Sequence, residues 1–236
     1  MMNRIVVACI VFWLFTSGCV SSYFATPNDV FLRHATIYFD NGAQKTGEIT
    51  VQLENGVKSN QYVTLYYKDQ HQSEQISVDS IKYYQINNEV YVPKKIDFDF
   101  DGTYHFLFVK RLTEENSKIH LYELHQDYKA NSTGEDKRLY FISFPLFSKY
   151  EVWATYSKNL FPDFADKMSR QLSDCPSLAE KVRSRTKGYF IASQLIPEST
   201  KLGVYKRIID EYNSCQTSRL SATTSMRAEH THDLQR

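Results

Sequence analysis

The stretch ATIYFDNGAQKTGEITVQL, residues 35–53, decides the fold of this 236-residue chain. Apolar and polar side chains alternate on both sides of Asn41-Gly42, a dipeptide that tolerates the positive φ angles of a hairpin turn. A second dipeptide of the same kind, Asn55-Gly56, follows the run from 47 to 53. The stretch therefore predicts antiparallel β-hairpins.

The period of two continues to residue 144. Asn87-Asn88 and Asp101-Gly102 supply further turns, and Pro93 marks a strand end or a sheet edge because proline has no N–H to donate. The pattern predicts a series of short strands within the segments 35–39, 47–53, 61–67, 75–78, 81–86, 89–92, 96–100, 104–112, 119–125 and 139–144. We expect an antiparallel β-meander over residues 35–155, curled into a barrel or a sandwich.

Beyond Tyr156 the apolar period becomes helical. One helix is expected around 161–172, with Pro162 in its first turn, and a second after Cys175, capped by Ser177 and Glu180. Segment 188–196 fits a strand or a helix equally well, and 197–212 predicts another helix. We expect a helical subdomain over 156–215 and a disordered tail over 216–236, which has few large apolar residues. The predicted class is α+β.

The first nineteen residues have the layout of a secretory signal peptide. Arg4 precedes the apolar run 5–15, and the small residues Ser17 and Gly18 precede Cys19. Eleven apolar residues span only about half of the ~30 Å hydrocarbon core, which disfavours a permanent transmembrane helix. The residues before Cys19 resemble a bacterial lipobox, although Thr16 stands where Leu is preferred. We expect a signal peptide over 1–18 and a lipidated tether over 19–34; ordinary secretion or an uncleaved anchor are the alternatives.

The cysteine count agrees with an exported protein. Cys9 would be removed with the signal peptide and Cys19 would carry the lipid, leaving Cys175 and Cys215. An even remainder in an exported chain predicts a disulfide. Two unpaired buried thiols are the alternative, and a zinc site is disfavoured because neither cysteine has a second ligand at zinc-binding spacing.

The charges nearly cancel. The chain has 28 basic and 27 acidic side chains, a formal net charge of +1. Nucleic acid is therefore not an expected partner, and the net charge gives no strong electrostatic case for binding to an anionic membrane surface.

Three segments carry a resemblance. They are residues 37–47, with Tyr-Phe-Asp-Asn-Gly and then Gly-Glu-Ile; residues 106–122; and the pair Asp-Cys-Pro-Ser-Leu, 174–178, with Tyr-Asn-Ser-Cys, 212–215. They resemble β-rich envelope lipoproteins of Bacteroidota. That resemblance implies no activity, cofactor or catalytic residue. No acidic run of the kind that resembles a surface-export signal follows Cys19, so we expect the periplasmic side of the outer membrane.

Two groups of residues suggest metal or catalytic chemistry. Asp97, Asp99 and Asp101 match the first half of a calcium-binding EF-hand loop, but the twelfth position is Phe108 instead of Glu. A strand with a solvated acidic face explains them better. A catalytic or metal site could instead gather the predicted strand residues His105, His120, Glu123 and His125, but the last histidine lies five positions after His120, so the two should face opposite sides of a strand.

Two tyrosine pairs suggest a glycan site. Tyr66-Tyr67 and Tyr83-Tyr84 each place one ring on each face of a strand, and exposed rings stack on sugars. Tyrosine is also an ordinary strand residue, which is the simpler interpretation.

The sequence thus predicts a non-enzymatic outer-membrane lipoprotein, held to the membrane by palmitate-type acyl chains, that acts as a binding or structural module and needs no cofactor. The partners to expect are an envelope protein or a glycan. A carbohydrate-binding accessory protein is the first alternative, and an envelope hydrolase is the second.

Overall fold

The computed structural model describes residues 30–51, 61–97, 104–127 and 136–233. Within these ranges, ten strands are followed by three α-helices. The strands are β1 (Val30–Phe39), β2 (Gln44–Val51), β3 (Tyr62–Tyr67), β4 (Gln72–Ser77), β5 (Ile81–Ile86), β6 (Glu89–Ile96), β7 (His105–Arg111), β8 (His120–Asp127), β9 (Asp136–Ser143) and β10 (Trp153–Ala154). The helices are α1 (Phe164–Gln171), α2 (Pro176–Arg183) and α3 (Glu198–Asp233).

The strands form one antiparallel sheet in the order β10-β9-β8-β7-β6-β5-β1-β2-β3-β4. The predicted α+β class, with a meander followed by helices, is confirmed. The order departs from a simple meander at one point, where β5 pairs with β1. The sheet is open, with β10 and β4 at its edges, so the closed barrel considered from the sequence does not form.

The chain divides into two compact units. Unit 1 comprises Met1–Lys110 and Leu124–Arg138, and unit 2 comprises Arg111–Glu123 and Leu139–Arg236. This division differs from the boundary expected at residue 155. The reason is packing, because side chains such as Ile119 and Ile142 belong to the same buried core as the helices.

The first five strands of unit 1 curl. β4 and β5 are joined by the three residues Val78–Ser80, although three strands lie between them in the sheet. In a flat sheet, four inter-strand spacings would separate them by about 19 Å. Four Cα steps reach at most about 14 Å. The curl brings the inward side chains into one core: Val30, Ala35, Ile37, Ile49, Val51, Val63, Leu65, Ile76, Val78, Ile81, Tyr84, Ile86 and Phe108.

The sequence located most strands of unit 1 but not all their ends. β1 begins at Val30, so part of the expected tether 19–34 belongs to the sheet. Pro93 lies inside β6 and does not end it. It faces Phe108 of β7, whereas the ladder to β5 stops at Tyr91. Pro93 therefore has a partner strand on one side only, the position at which a sheet tolerates proline.

The helices of unit 2 surround a second core. Its buried members are Ile119, Leu121, Ile142, Phe144, Leu160, Phe161, Phe164, Met168, Leu172, Cys175, Leu178, Ala179, Val182, Ile191, Val204, Tyr205, Ile208, Ile209 and Tyr212. Two details of the predicted helix starts are wrong. α1 begins at Phe164, so Pro162 precedes it, and the amino-terminal cap of α2 is Cys175 without any side-chain capping bond.

α3 is longer than predicted. The expected helix over 197–212 is confirmed, but it continues to Asp233 through the segment predicted to be disordered. Low apolar content taken alone favours disorder in 216–236. A helix nucleated by a packed first half, however, propagates into polar residues at little further cost.

A clasp in unit 2 joins the start of α2 to α3. Cys175 and Cys215 form the predicted disulfide, with Cα atoms 6.3 Å apart. Beside it, Asp174 accepts hydrogen bonds from the Tyr212 hydroxyl at 2.6 Å and the Gln216 amide at 2.7 Å. The two motifs that resemble envelope lipoproteins therefore meet in space, and these residues hold the two helices together.

Candidate functional site

The structure removes Tyr84 as a ligand-binding residue. Its side chain is completely buried in the core of unit 1, 5.0 Å from the Tyr91 ring and 4.8 Å from the Phe108 ring, measured between centroids. A ring in that position cannot stack on a sugar. This prediction is wrong because one face of β5 lines the core.

The other three tyrosines do not form a common platform. Tyr67 is half-buried and donates a hydrogen bond to Glu74. Tyr83 stacks on Tyr38 at 4.5 Å between ring centroids. Tyr66 of β3 lies opposite Glu48 of β2, which in turn lies opposite His34 of β1. His34 precedes Tyr38 by four residues, so Tyr66 is displaced from the Tyr38–Tyr83 pair by about 13 Å along the strand direction.

The described members of the other candidate groups do not converge either. Asp97 follows β6, while Asp99 and Asp101 lie outside the described residues. His120 shares a hydrogen bond with the Thr113 hydroxyl at 3.0 Å, and the side chain of His125 lies outside those described. Among the side chains that the structure describes, no three metal-ligating groups are placed together as an ion would require. Cys19 and the whole signal segment also lie outside the described ranges.

Unit 2 carries a groove that the sequence did not predict. Its volume is about 530 Å³ and it runs along one face of α3, with Tyr189 from the preceding loop on its side. The helical lining residues recur every three or four positions, as one helix face requires. The full lining is Tyr189, Gly203, Lys206, Arg207, Asp210, Glu211 and Ser214.

Arg207 lies against two residues beside this groove. Its guanidinium lies 5.8 Å from the centre of the Tyr189 ring, a cation–π distance. It also lies against Gly188, whose φ is +87° and whose missing Cβ would fall 1.8 Å from the Arg207 Nη1 atom. A side chain at 188 would displace the guanidinium. Gly188 therefore leaves the space that this exposed arginine occupies.

Glu211 is fully engaged by its neighbours. One carboxylate oxygen accepts from Lys181 at 2.6 Å and the other accepts from the Tyr189 hydroxyl. Burial alone would raise the pKa of Glu211, but these two hydrogen bonds outweigh it and the pKa lies below its ordinary value. The same bonds raise the pKa of Lys181 and of Tyr189. Glu211 is therefore ionised at neutral pH, and both of its oxygens have partners.

The same lysine–glutamate–tyrosine arrangement occurs twice in unit 1. Its members are Lys45 and Tyr67, which both donate to Glu74, and Lys110 and Tyr91, which both donate to Glu89. In each case the two hydrogen bonds hold the glutamate pKa below its ordinary value, against the effect of burial. This recurrence identifies the arrangement as a structural device. It leaves Lys206, Arg207 and the exposed Asp210, and not Glu211, as the charged groups of the groove that are available to a ligand.

The groove has a basic rim, which we define as Arg185, Lys187, Lys206 and Arg207. Within the described part of the chain, none of the four has a carboxylate at ion-pair distance. Segments 180–187 and 206–211 together hold six cations and three carboxylates, a net charge of +3 compared with +1 for the whole chain. The rim is thus locally basic, whereas the lining of the groove itself balances Lys206 and Arg207 against Asp210 and Glu211.

A faint signal for the rim is present in the sequence. Residues 181–190 read KVRSRTKGYF, where a cation stands at every second position up to Lys187 and a Gly-Tyr pair follows. Such a run is ordinarily a solvated face. Its contact with Arg207 of α3 depends on tertiary packing, so the sequence alone does not reveal the groove.

Comparison of the chain with protein-family models, with curated proteins and with solved structures finds no match. In the described residues, no helix combines the length and the apolar character needed to cross a bilayer.

Proposed function

We propose that this protein is a non-enzymatic lipoprotein of the bacterial outer membrane, anchored at Cys19 and facing the periplasm, and that the groove along α3 is its binding surface. The observation that carries the proposal is the disulfide between Cys175 and Cys215. Disulfides persist in oxidising compartments such as the periplasm and are rare in the cytosol. The signal-like segment that ends at Cys19 supports the same location.

The groove supports binding in preference to catalysis. Arg207 has donors suited to an anionic group, whereas Glu211 has both oxygens occupied and the other carboxylate of the lining, Asp210, has no histidine beside it in that lining. A general base needs an oxygen that can reach the proton it removes. The chemistry at hand is recognition of a negatively charged ligand by an envelope protein, without a cofactor and without nucleic acid.

A carbohydrate-binding function is the second candidate. The half-exposed Tyr83 ring stacks on Tyr38 and offers one aromatic surface on unit 1. This one stacked pair offers a sugar less aromatic surface than the four tyrosines predicted from the sequence would have offered if aligned. An envelope hydrolase is the third, and it requires a cleft in which a histidine and carboxylates converge.

Substitution of the proposed lipid-bearing residue tests the location. Cys19→Ala removes the thiol at which the acyl chains would be attached, so the protein should leave the outer-membrane fraction. Cys9→Ala is the matched control, because Cys9 lies in the same signal segment and would be discarded with it. Retention of Cys19→Ala in the outer membrane, equal to that of the control, would contradict the proposal.

A further inference from the structure

We propose that the groove and its basic rim dock unit 2 on the anionic phospholipid surface of a membrane, and that Leu195 enters the interface between headgroups and acyl chains. This inference rests on the proposed lipid anchor, which would hold the protein beside a bilayer. It adds a second, reversible contact made by the folded protein itself.

The charge of the rim matches such a surface. Arg185, Lys187, Lys206 and Arg207 are all exposed, and in the described structure none of them forms an ion pair with a carboxylate. Each Lys or Arg near an anionic bilayer strengthens the contact by roughly fivefold. Four such residues within one site give a strong preference for anionic over zwitterionic lipid.

Arg207 can also bind a phosphate group in a defined orientation. Its guanidinium lies against Gly188 and Tyr189 and is exposed to solvent. A planar guanidinium donates two parallel hydrogen bonds to a phosphate group, which a lysine ammonium does not. The groove therefore offers one oriented phosphate contact within a diffuse basic surface.

Leu195 distinguishes a membrane from a soluble polyanion. Its side chain is 94% exposed, and it lies in the same connecting segment as Arg185 and Lys187. Phe190 and Ile196 of that segment pack against the core of unit 2 and hold it in place. Binding to a membrane interface combines electrostatic attraction to anionic lipids with burial of apolar side chains, and this segment offers both. A soluble phosphate or polyanion would gain nothing from Leu195.

Hydrogen exchange on the intact lipidated protein tests the inference. The full chain is reconstituted through its own anchor into phosphatidylcholine vesicles and into vesicles containing about one third phosphatidylglycerol, and flotation is measured first. We expect backbone exchange of residues 185–196 to slow on the anionic vesicles alone and to recover when salt is raised to about 1 M. Equal exchange on both kinds of vesicle would overturn the inference.

Charge reversal supplies the matched comparison. Arg185→Glu with Lys187→Glu should reduce the docking equilibrium by about 25-fold or more, because two contacts of roughly fivefold each are lost. Arg33→Glu with Lys68→Glu makes the same change in net charge at exposed positions of unit 1 and should leave the slowing intact. Equal effects of the two pairs would show that net charge alone acts, and would overturn the assignment of the rim.

Two further measurements separate the alternatives. Leu195→Asn should weaken the slowing without any change in charge, and an unchanged response would contradict the insertion of this side chain. A soluble anionic polysaccharide can also be added to the protein in phosphatidylcholine vesicles. If it slows the hydrogen exchange of residues 185–196 as much as anionic vesicles do, the ligand is a soluble polymer and the membrane assignment is overturned. Failure of the wild-type protein to float would contradict both the anchor and the docking, whereas flotation without slowing would contradict the docking alone.

Discussion

Removal of the disulfide should destabilise unit 2 by an amount set by the loop that it closes. Cys175 and Cys215 are separated by 40 residues. Loop-closure entropy for a loop of that length gives a stabilisation of about 4 kcal/mol. The double substitution Cys175→Ala with Cys215→Ala should therefore lower the free energy of unfolding of unit 2 by about that amount, which is a large part of the stability of an ordinary domain.

The fluorescence of Trp153 provides the assay. The chain has two tryptophans, and the other one, Trp13, lies in the segment expected to be removed. Trp153 packs against Phe144 and Phe147 in unit 2, with ring centroids 5.6 Å and 4.9 Å away. With a slope of roughly 2 kcal/mol per M urea, the midpoint should fall by about 2 M.

Reduction of the wild-type protein is the control, since it opens the same loop without changing any side chain. The reduced protein and the double variant should unfold at similar urea concentrations. A decrease in the free energy of unfolding of less than about 1 kcal/mol would refute the reasoning. It would mean that the hydrogen bonds of Asp174 hold the two helices together when the disulfide is absent.

Three further predictions concern the groove, the core of unit 1 and acid. Gly188→Ala should destabilise unit 2 by about 1–2 kcal/mol in urea unfolding, because alanine is strained at positive φ and its Cβ displaces the Arg207 guanidinium. Gly42→Ala, the control, adds the same kind of strain without a clash and should cost less. Tyr84→Ala should lower the free energy of unfolding of unit 1 by about 3–5 kcal/mol and Tyr83→Ala by much less, measured by urea unfolding followed with circular dichroism, since only the first ring is completely buried; similar losses would contradict the core described for unit 1. The pKa of Glu211 is lower in the folded state than its ordinary value of 4.5, so its ionised carboxylate stabilises the fold at any pH above 4.5. This contribution is lost as the pH falls through the folded-state pKa. Glu211→Gln should therefore show a weaker acid dependence of Trp153 unfolding than the wild type, and an unchanged dependence would contradict the hydrogen-bonded carboxylate.

The sequence predicted the parts of the fold that depend on local pattern. The Asn41-Gly42 turn joins β1 to β2, with Gly42 at a φ of +83°, and Asn87 has a φ of 54° between β5 and β6. The pairing of Cys175 with Cys215 followed from the count of cysteines and the expected compartment. These features are decided by short segments or by simple counting.

The features that the sequence missed depend on packing between distant segments. The pairing of β5 with β1 follows from the curl of the sheet, and no dipeptide encodes it. Tyr84 alternates with Tyr83 in the sequence, yet only the register of β5 against β1 assigns one ring to the core. The position of Arg207 against Gly188 likewise needs the fold of unit 2, because nineteen residues separate the two along the chain.

The most direct test of the proposed lipoprotein is the covalent state of the native protein, measured by mass spectrometry of unreduced peptides. We predict an amino-terminal peptide that begins at an acylated Cys19, together with a peptide pair joined through Cys175 and Cys215. A native chain that still begins at Met1, with alkylatable thiols at 175 and 215, would contradict the proposal.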